Sequence, residues 1–107
     1  MPTVEEIFVA MPDKFKSDAA AGMNAVYQYD VTGDGGGKWY TVIEDGKLTV
    51  EKGEHESPNI TITVADQDYI DMVSGKLNGQ TAFLTGKLKI KGDMSLAMKL
   101  NSLFEQG

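Results

Sequence analysis

The segment Gly86–Leu100, GKLKIKGDMSLAMKL, constrains the fold more than any other part of the chain. Leu88 and Ile90 alternate with lysines, which predicts a strand with one apolar face. Gly92 interrupts the strand, and Asp93 is placed to cap a helix. A helix that covers a sheet on one side needs an apolar arc of roughly 100°. The apolar residues of this helix spread over most of its circumference, so we expect it to bury more than one side: Met94, Leu96, Ala97, Met98, Leu100, Leu103 and Phe104.

A helix is predicted at the N-terminus, and four strands are predicted after it. Thr3 and Glu6 have the spacing of a capping box. Pro12 is expected to kink this helix or to restart a second one. Asp45-Gly46 is a hairpin signal between two of the strands. Alternation and turn residues predict the strands Ala25–Val31, Lys38–Glu44, Lys47–Glu51 and Asn59–Val64.

Two short helices precede the fifth strand and the last helix. Asp66 is placed to cap the first of them, which we expect to end at Val73, and the second is predicted over Gln80–Leu84. This order predicts an α+β fold with a five-stranded, mainly antiparallel sheet and helices packed on one face. The length of 107 residues is that of one domain, so we assign residues 1–107 to a single unit.

Composition restricts the partners of this chain. The net charge of −6 disfavours nucleic acid, which requires a basic surface. The absence of cysteine makes the cytoplasm the expected compartment. The charge is uneven: residues 1–75 hold 5 lysines and 14 acidic residues, whereas residues 76–107 hold 5 lysines and 2 acidic residues.

The motifs that resemble catalytic or cofactor sites do not fit their chemistry. The glycine-rich stretch Gly33–Lys38 lacks the upstream glycine and the hydroxyl of a phosphate-binding loop, so we expect a hairpin turn. His55 is the single histidine and lies between two glutamates in a polar loop, and neighbouring residues in a turn rarely converge on one metal as the three or four ligands of a zinc site must. Asp66, Asp68 and Asp71 fit charges near a helix start. With no cysteine nucleophile, we expect no enzyme activity and no cofactor.

The chain is rich in methionine, with six residues. Methionine is frequent on surfaces that accept variable apolar shapes, and it also fills gaps in ordinary cores. A third interpretation is an exposed groove for a partner helix. Composition leaves these alternatives open.

Residues 63–100 resemble the C-terminal signature of the sterol carrier protein-2 (SCP2) domain family. The resemblance continues more loosely upstream through the glycine-rich turn and Trp39, and it covers nearly the whole chain. The predicted order of elements agrees with the five-stranded sheet of that family. The matching motifs are Ala65-Asp66-Gln67-Asp68, Gly75-Lys76, Ala82-Phe83, Gly86–Ile90, Gly92-Asp93-Met94 and Leu96–Leu100.

The resemblance implies a non-enzymatic carrier that holds a lipid in an apolar tunnel between sheet and helices. The ligands of the family are fatty acids, acyl-CoAs, phospholipids or sterols. The chain resembles a free-standing, bacterial-type member, which favours a fatty acid or phospholipid over sterol. Transfer implies transient membrane contact.

By position in this family, eleven residues are expected to line the tunnel or to contact the lipid. An ordinary core role stays open for each of them, because core and tunnel wall have the same composition. They are Phe15, Tyr69, Met72, Val73, Gln80, Phe83, Leu84, Leu88, Met94, Met98 and Leu103.

An alternative function is a protein-interaction or accessory module that keeps the fold without a working tunnel. An enzyme or an enzyme-regulating subunit is a third hypothesis. Bound lipid would distinguish the first interpretation from the others.

Overall fold

Helices and strands follow one another in the predicted order in the computed structural model, which describes residues 2–104. Met1 and residues 105–107 of the predicted 1–107 domain lie outside this range. A four-residue 3₁₀ turn, Ser17–Ala20, follows the first helix. The helices are α1 (Val4–Lys14), α2 (Asp66–Val73), α3 (Gly79–Leu84) and α4 (Met94–Leu103). The strands are β1 (Ala25–Thr32), β2 (Gly37–Glu44), β3 (Lys47–Lys52), β4 (Ile60–Ala65) and β5 (Leu88–Gly92).

The five strands form one sheet in the order β3-β2-β1-β4-β5. Three neighbouring pairs are antiparallel, and the central pair of β1 and β4 is parallel. This confirms the mainly antiparallel sheet. The parallel pair was not predicted, because alternation along a strand reports which face is buried and not which strand lies beside it.

One face of the sheet carries the core. In the central pair, Tyr29 lies beside Ile62 and Val31 beside Val64, and all four side chains are buried. Helices α2 and α4 pack on β4, and α1 and α3 pack toward the two edge strands. The predicted arrangement of helices on one face is confirmed, and this face also forms the walls of the cavities described below.

Helix α1 begins where the capping box predicts. The Thr3 hydroxyl accepts a hydrogen bond from the Glu6 N–H at 3.1 Å, and the Glu6 carboxylate accepts one from the Thr3 N–H at 2.9 Å. No second α-helix restarts at Pro12, because α1 continues through it to Lys14. Proline removes only one backbone donor, and here that loss falls in the last turn of the helix. The restarted helix is reduced to the 3₁₀ turn.

Asp66 has a different role from the predicted helix cap. The capping position of α2 is Ala65, and Asp66 is the first helical residue. The Asp66 carboxylate instead accepts a hydrogen bond from the backbone N–H of Gly35 at 2.9 Å and from Gln67 at 2.8 Å. The start of α2 is therefore joined to the turn between β1 and β2.

Helix α4 begins directly after the edge strand β5. Asp93 caps it as predicted, because its carboxylate accepts a hydrogen bond from the Ser95 N–H at 2.9 Å. Gly92 has φ +116°, and a Cβ atom at this position would lie 2.5 Å from the carbonyl oxygen of Asn59. Only glycine fits this close approach. The turn directs α4 back across the helix-covered face of the sheet.

Candidate functional site

Two cavities lie between the sheet and the helices. The first, here called the α1 cavity, has a volume of about 250 Å³ and is lined mainly by α1, α2 and the end of α4. The second, the α4 cavity, has a volume of about 410 Å³ and is lined by α2, α3, β5 and α4. Both are lined mostly by apolar side chains. Those of the α4 cavity include Ile62, Phe83, Leu88, Ile90, Met94 and Met98.

The two cavities share a boundary. Four residues line both of them: Tyr29 of β1, Tyr69 and Met72 of α2, and Leu100 of α4. The two cavities therefore adjoin each other at these four residues. Met72 is unbranched and adaptable, so it is suited to a movable partition.

The two tyrosines at this boundary belong to a cluster of packed aromatic rings. Phe8 stacks on Trp39 with ring centroids 5.0 Å apart and on Tyr69 at 5.4 Å. The same ring meets Tyr29 edge-on at 5.1 Å. Such contacts add about 0.5–1.5 kcal/mol each beyond simple burial. The rings of Tyr29 and Tyr69 are therefore held in place by contact with Phe8, and both residues also line the cavities.

The tyrosines at this boundary stay neutral over a wide pH range. Burial raises the pKa of Tyr69 well above the ordinary value of 10.0, and Tyr29 adds to the shift. Burial also raises the pKa of Tyr29, against a smaller opposing effect of the Thr41 side chain. Their hydroxyl groups are therefore hydrogen-bond donors at neutral pH.

The α4 cavity opens through exposed apolar side chains. Phe83 is 41% exposed, Met94 44% and Met98 77%, and all three line the cavity. Leu84, next to Phe83 on α3, is 75% exposed. We call these four residues the α3–α4 apolar surface.

Eight of the eleven predicted lining residues lie in a cavity wall. Tyr69 and Met72 line both cavities, and Val73 lines the α1 cavity. Five more line the α4 cavity: Gln80, Phe83, Leu88, Met94 and Met98. Their contact with a lipid stays a prediction.

The other three predicted residues lie outside both cavity walls. Phe15 packs on Phe104 with ring centroids 5.8 Å apart, in a bridge between the end of α1 and the end of α4. Leu103 is completely buried in the core, whereas Met98 of the same helix is 77% exposed. Leu84 projects into solvent beside the mouth of the α4 cavity.

Sequence analysis missed several cavity residues, chiefly Tyr29, Ile62, Ile90 and Leu100. The signal for three of them was present. Ile90 shares a strand face with Leu88, and the alternation of β1 and β4 places Tyr29 and Ile62 on the covered face. Which covered residues face a cavity depends on how closely the helices approach, which the alternation does not report.

The motifs that do not fit catalytic or cofactor sites lie in turns and loops. The first four residues of Gly33–Lys38 form the turn between β1 and β2, with the N–H of Gly36 bonded to the carbonyl of Gly33 at 3.1 Å, and the last two begin β2. His55 accepts a hydrogen bond from the Ser57 N–H at 3.0 Å and lies edge-on to Tyr40, away from both cavities. Within residues 2–104, no three histidine or acidic side chains come together as a metal site would require. None of the described helices has the length and hydrophobicity to span a bilayer.

Comparison with known proteins gives a consistent family. The model of the SCP-2 sterol transfer family matches residues 4–105. The hydroxysteroid dehydrogenase-like protein 2 of Bos taurus is 36% identical over 104 residues, which are 96% of this chain and 25% of that protein. This chain thus spans about a quarter of the length of this relative.

Two solved structures are similar over most of their own length. The palmitated SCP2L2 protein of Aedes aegypti is 29% identical with a TM-score of 0.71, covering 94% of this chain and 93% of that one. The sterol carrier protein 2 of Yarrowia lipolytica, in its apo form, is 26% identical with a TM-score of 0.71. The match covers 90% of this chain and 84% of that one.

Proposed function

The chain belongs to the SCP-2 sterol transfer family, and from that premise we propose that it binds a lipid with a fatty acyl chain between its sheet and helices. Lipid binding and transfer are the general property of the family. The observation that carries the specific proposal is the α4 cavity, which has about 410 Å³ of space, mainly apolar walls and an opening lined by Phe83, Met94 and Met98.

The size of the cavities supports a chain-shaped ligand. Ligand pockets typically have volumes of about 300–1,000 Å³. The α4 cavity lies in that range, whereas the α1 cavity, at about 250 Å³, lies below it. We propose that the two join into one tunnel when Met72 and Leu100 move aside, so that a long ligand, with its acyl chain in the α4 cavity, extends through both.

The driving force is the removal of methylene groups from water. Each buried methylene contributes about 0.8 kcal/mol, so a chain of ~16 carbons gains roughly 12 kcal/mol before the losses of entropy are subtracted. This force has no direction and distinguishes poorly among acyl chains. Fatty acids, acyl-CoAs and phospholipids are the proposed ligands, with sterol less favoured. The mosquito relative in its palmitated form supports a fatty acyl ligand.

We propose further that the α3–α4 apolar surface meets a membrane during transfer. Its exposed side chains surround the opening of the α4 cavity, so lipid that leaves the cavity there passes directly into the bilayer. Of the described residues, 76–104 carry five lysines and only one acidic residue, Asp93. Positive charge near an apolar surface favours anionic lipid, at about 1 kcal/mol per lysine near the bilayer.

Ligand binding is tested with native mass spectrometry of the purified protein and with displacement of a fluorescent fatty acid. We expect co-purified lipid, or uptake of palmitic acid after its removal. A lipid-free mass together with no displacement of the probe would exclude a working tunnel.

Membrane contact is tested by sedimentation with vesicles. The wild type is expected to bind anionic vesicles more strongly than zwitterionic ones, and Leu84→Glu to reduce that binding. Val9→Glu is the matched control, because Val9 is 68% exposed on α1 and lines neither cavity. If both variants lost vesicle binding equally, the α3–α4 apolar surface would not be the membrane-binding site.

An accessory module without a working tunnel is the second candidate. It is favoured by the fact that the matched segment is 25% of the dehydrogenase-like relative, in which it adjoins other sequence. In that case the α3–α4 apolar surface would bind a protein. The fatty acid experiment separates the two, because only the carrier takes up lipid.

A further inference from the structure

A tyrosine hydroxyl without a protein partner lies at the boundary of the two cavities. Tyr69 is 6% exposed and lines both. Its hydroxyl forms no hydrogen bond within residues 2–104, whereas the hydroxyl of Tyr27 on the same covered face donates to the carbonyl of Leu96 at 2.8 Å. A buried hydroxyl with no partner is unfavourable, so this position favours an added acceptor.

The Tyr69 hydroxyl is also open to the cavity space. Among the described residues, the one fully enclosed side-chain polar atom without a partner is Oγ1 of Thr41. The Tyr69 hydroxyl is unpaired but not enclosed in this way, and the open space next to this buried residue is that of the two cavities. The ring is held from the other side by Phe8 at 5.4 Å. A ligand atom in the cavity can therefore reach a donor whose position is set by packing.

We infer that the Tyr69 hydroxyl donates a hydrogen bond to an oxygen atom of the bound lipid, a carboxylate or an ester carbonyl. This rests on the proposed function and adds to it the orientation of the ligand. The polar end lies at the boundary of the cavities, and the alkyl chain extends into the larger α4 cavity, whose lining residues include no charged side chain. Any larger head group extends through the α1 cavity, whose two charged lining residues are Lys14 and Glu6.

Three other polar lining residues carry donors that compete for this role: Tyr29, which is 3% exposed and lines both cavities, and two exposed residues. Gln80 lines the α4 cavity and Lys14 lines the α1 cavity, and both are exposed. Because their polar groups are already hydrated, a hydrogen bond to the ligand replaces one to water and contributes little. Tyr69 is only 6% exposed, so its hydroxyl has less contact with water to lose and the same bond contributes more there.

The test measures equilibrium binding of radiolabelled palmitic acid and radiolabelled hexadecane to the delipidated protein. Hexadecane has the chain without an acceptor. Tyr69→Phe is expected to weaken the binding of palmitic acid about tenfold, which is the effect of one hydrogen bond to a charged group. The binding of hexadecane is expected to stay unchanged. Tyr40→Phe is the matched control, since Tyr40 lines neither cavity and its ring lies against His55.

The outcomes are distinct. Equal weakening of both ligands would overturn the inference, because the ring and not the hydroxyl would then matter. Unweakened binding of palmitic acid would overturn it as well, and Tyr29→Phe, Gln80→Leu and Lys14→Met would then locate the anchor. If the wild type bound neither ligand, the proposed function itself would fail.

A second measurement needs no variant. In wild-type protein with ¹³C at the ring carbon that bears the hydroxyl, the Tyr69 resonance is expected to shift when palmitic acid binds and to shift much less with hexadecane. The Tyr40 resonance is expected to stay in place with both. Identical Tyr69 shifts for the two ligands would contradict a hydrogen bond to the carboxylate.

Discussion

The hydroxyl of Tyr27 donates a hydrogen bond to the backbone carbonyl of Leu96 across 2.8 Å. Tyr27 is fully buried in the centre of the sheet, and Leu96 lies in the first turn of α4. One side chain of the core thus fixes the height of α4 above the sheet. The α4 cavity beside it depends on that height, because Met94, Ala97 and Met98 of the same helix form its wall.

Removal of this hydrogen bond is expected to weaken the fold modestly. Tyr27→Phe keeps the ring but leaves the Leu96 carbonyl without this partner, which lowers the free energy of unfolding by about 1 kcal/mol. Urea denaturation measures the change, with Tyr40→Phe as the control. An unchanged denaturation midpoint for Tyr27→Phe would mean that water replaces the hydroxyl and that the bond does not hold α4.

A charge at the mouth of the α4 cavity is expected to abolish lipid uptake without unfolding the protein. Met98 lines the cavity but is 77% exposed, so Met98→Glu keeps its carboxylate in water and spares the core. Val9→Glu on α1 is again the control for an added exposed charge. Fatty acid displacement and thermal unfolding are measured together. If Met98→Glu unfolds while Val9→Glu does not, Met98 supports packing rather than a ligand.

The contact of Asp66 with the β1–β2 turn is expected to determine which residues Gly33 tolerates. Gly33 has φ +99°, and an added Cβ would lie 2.6 Å from a carboxylate oxygen of Asp66. Gly33→Ala therefore combines backbone strain with a clash. Gly46→Ala, at φ +74° and with open space around it, has the strain alone. We expect Gly33→Ala to destabilise by about 1 kcal/mol more than Gly46→Ala.

A double variant separates the two contributions. Asp66→Ala removes the carboxylate, so the added methyl of Gly33→Ala then has room. The two substitutions together are expected to destabilise by less than the sum of the single ones, as measured by urea denaturation in a double-mutant cycle. Strict additivity would show that the carboxylate moves aside without loss.

Stability is expected to decrease in alkaline solution. Burial raises the pKa of Tyr29 and Tyr69 above the ordinary value of 10.0, so the folded state retains both protons where the unfolded state releases them. Their contribution to the free energy of unfolding is complete below about pH 10, the pKa of tyrosine in the unfolded chain. It decreases as the pH rises above that pKa. Tyr69→Phe should flatten this decrease, which denaturation at a series of pH values measures. An equal slope in the variant would contradict the assignment.

Local patterns in the sequence determined the elements of this fold. Each of these patterns involves residues that are close in the chain, so its geometry follows from local structure. Examples are the capping box of Thr3 and Glu6, the Asp93 cap and the alternation of Leu88 and Ile90. Residues 63–100 also carried the family resemblance, and the family match confirms it. Asp66 shows the limit, because its partner Gly35 is a neighbour only after folding.

The tertiary structure decided which apolar side chains border open space and which fill the core. Met98 and Leu103 belong to the same apolar helix, yet one is at a cavity mouth and the other is fully buried. Phe83 and Leu84 are adjacent, and only Phe83 lines the α4 cavity. A cavity wall and a core have the same composition. The difference arises from the distance between helix and sheet, which is set by contacts between distant residues such as Tyr27 and Leu96.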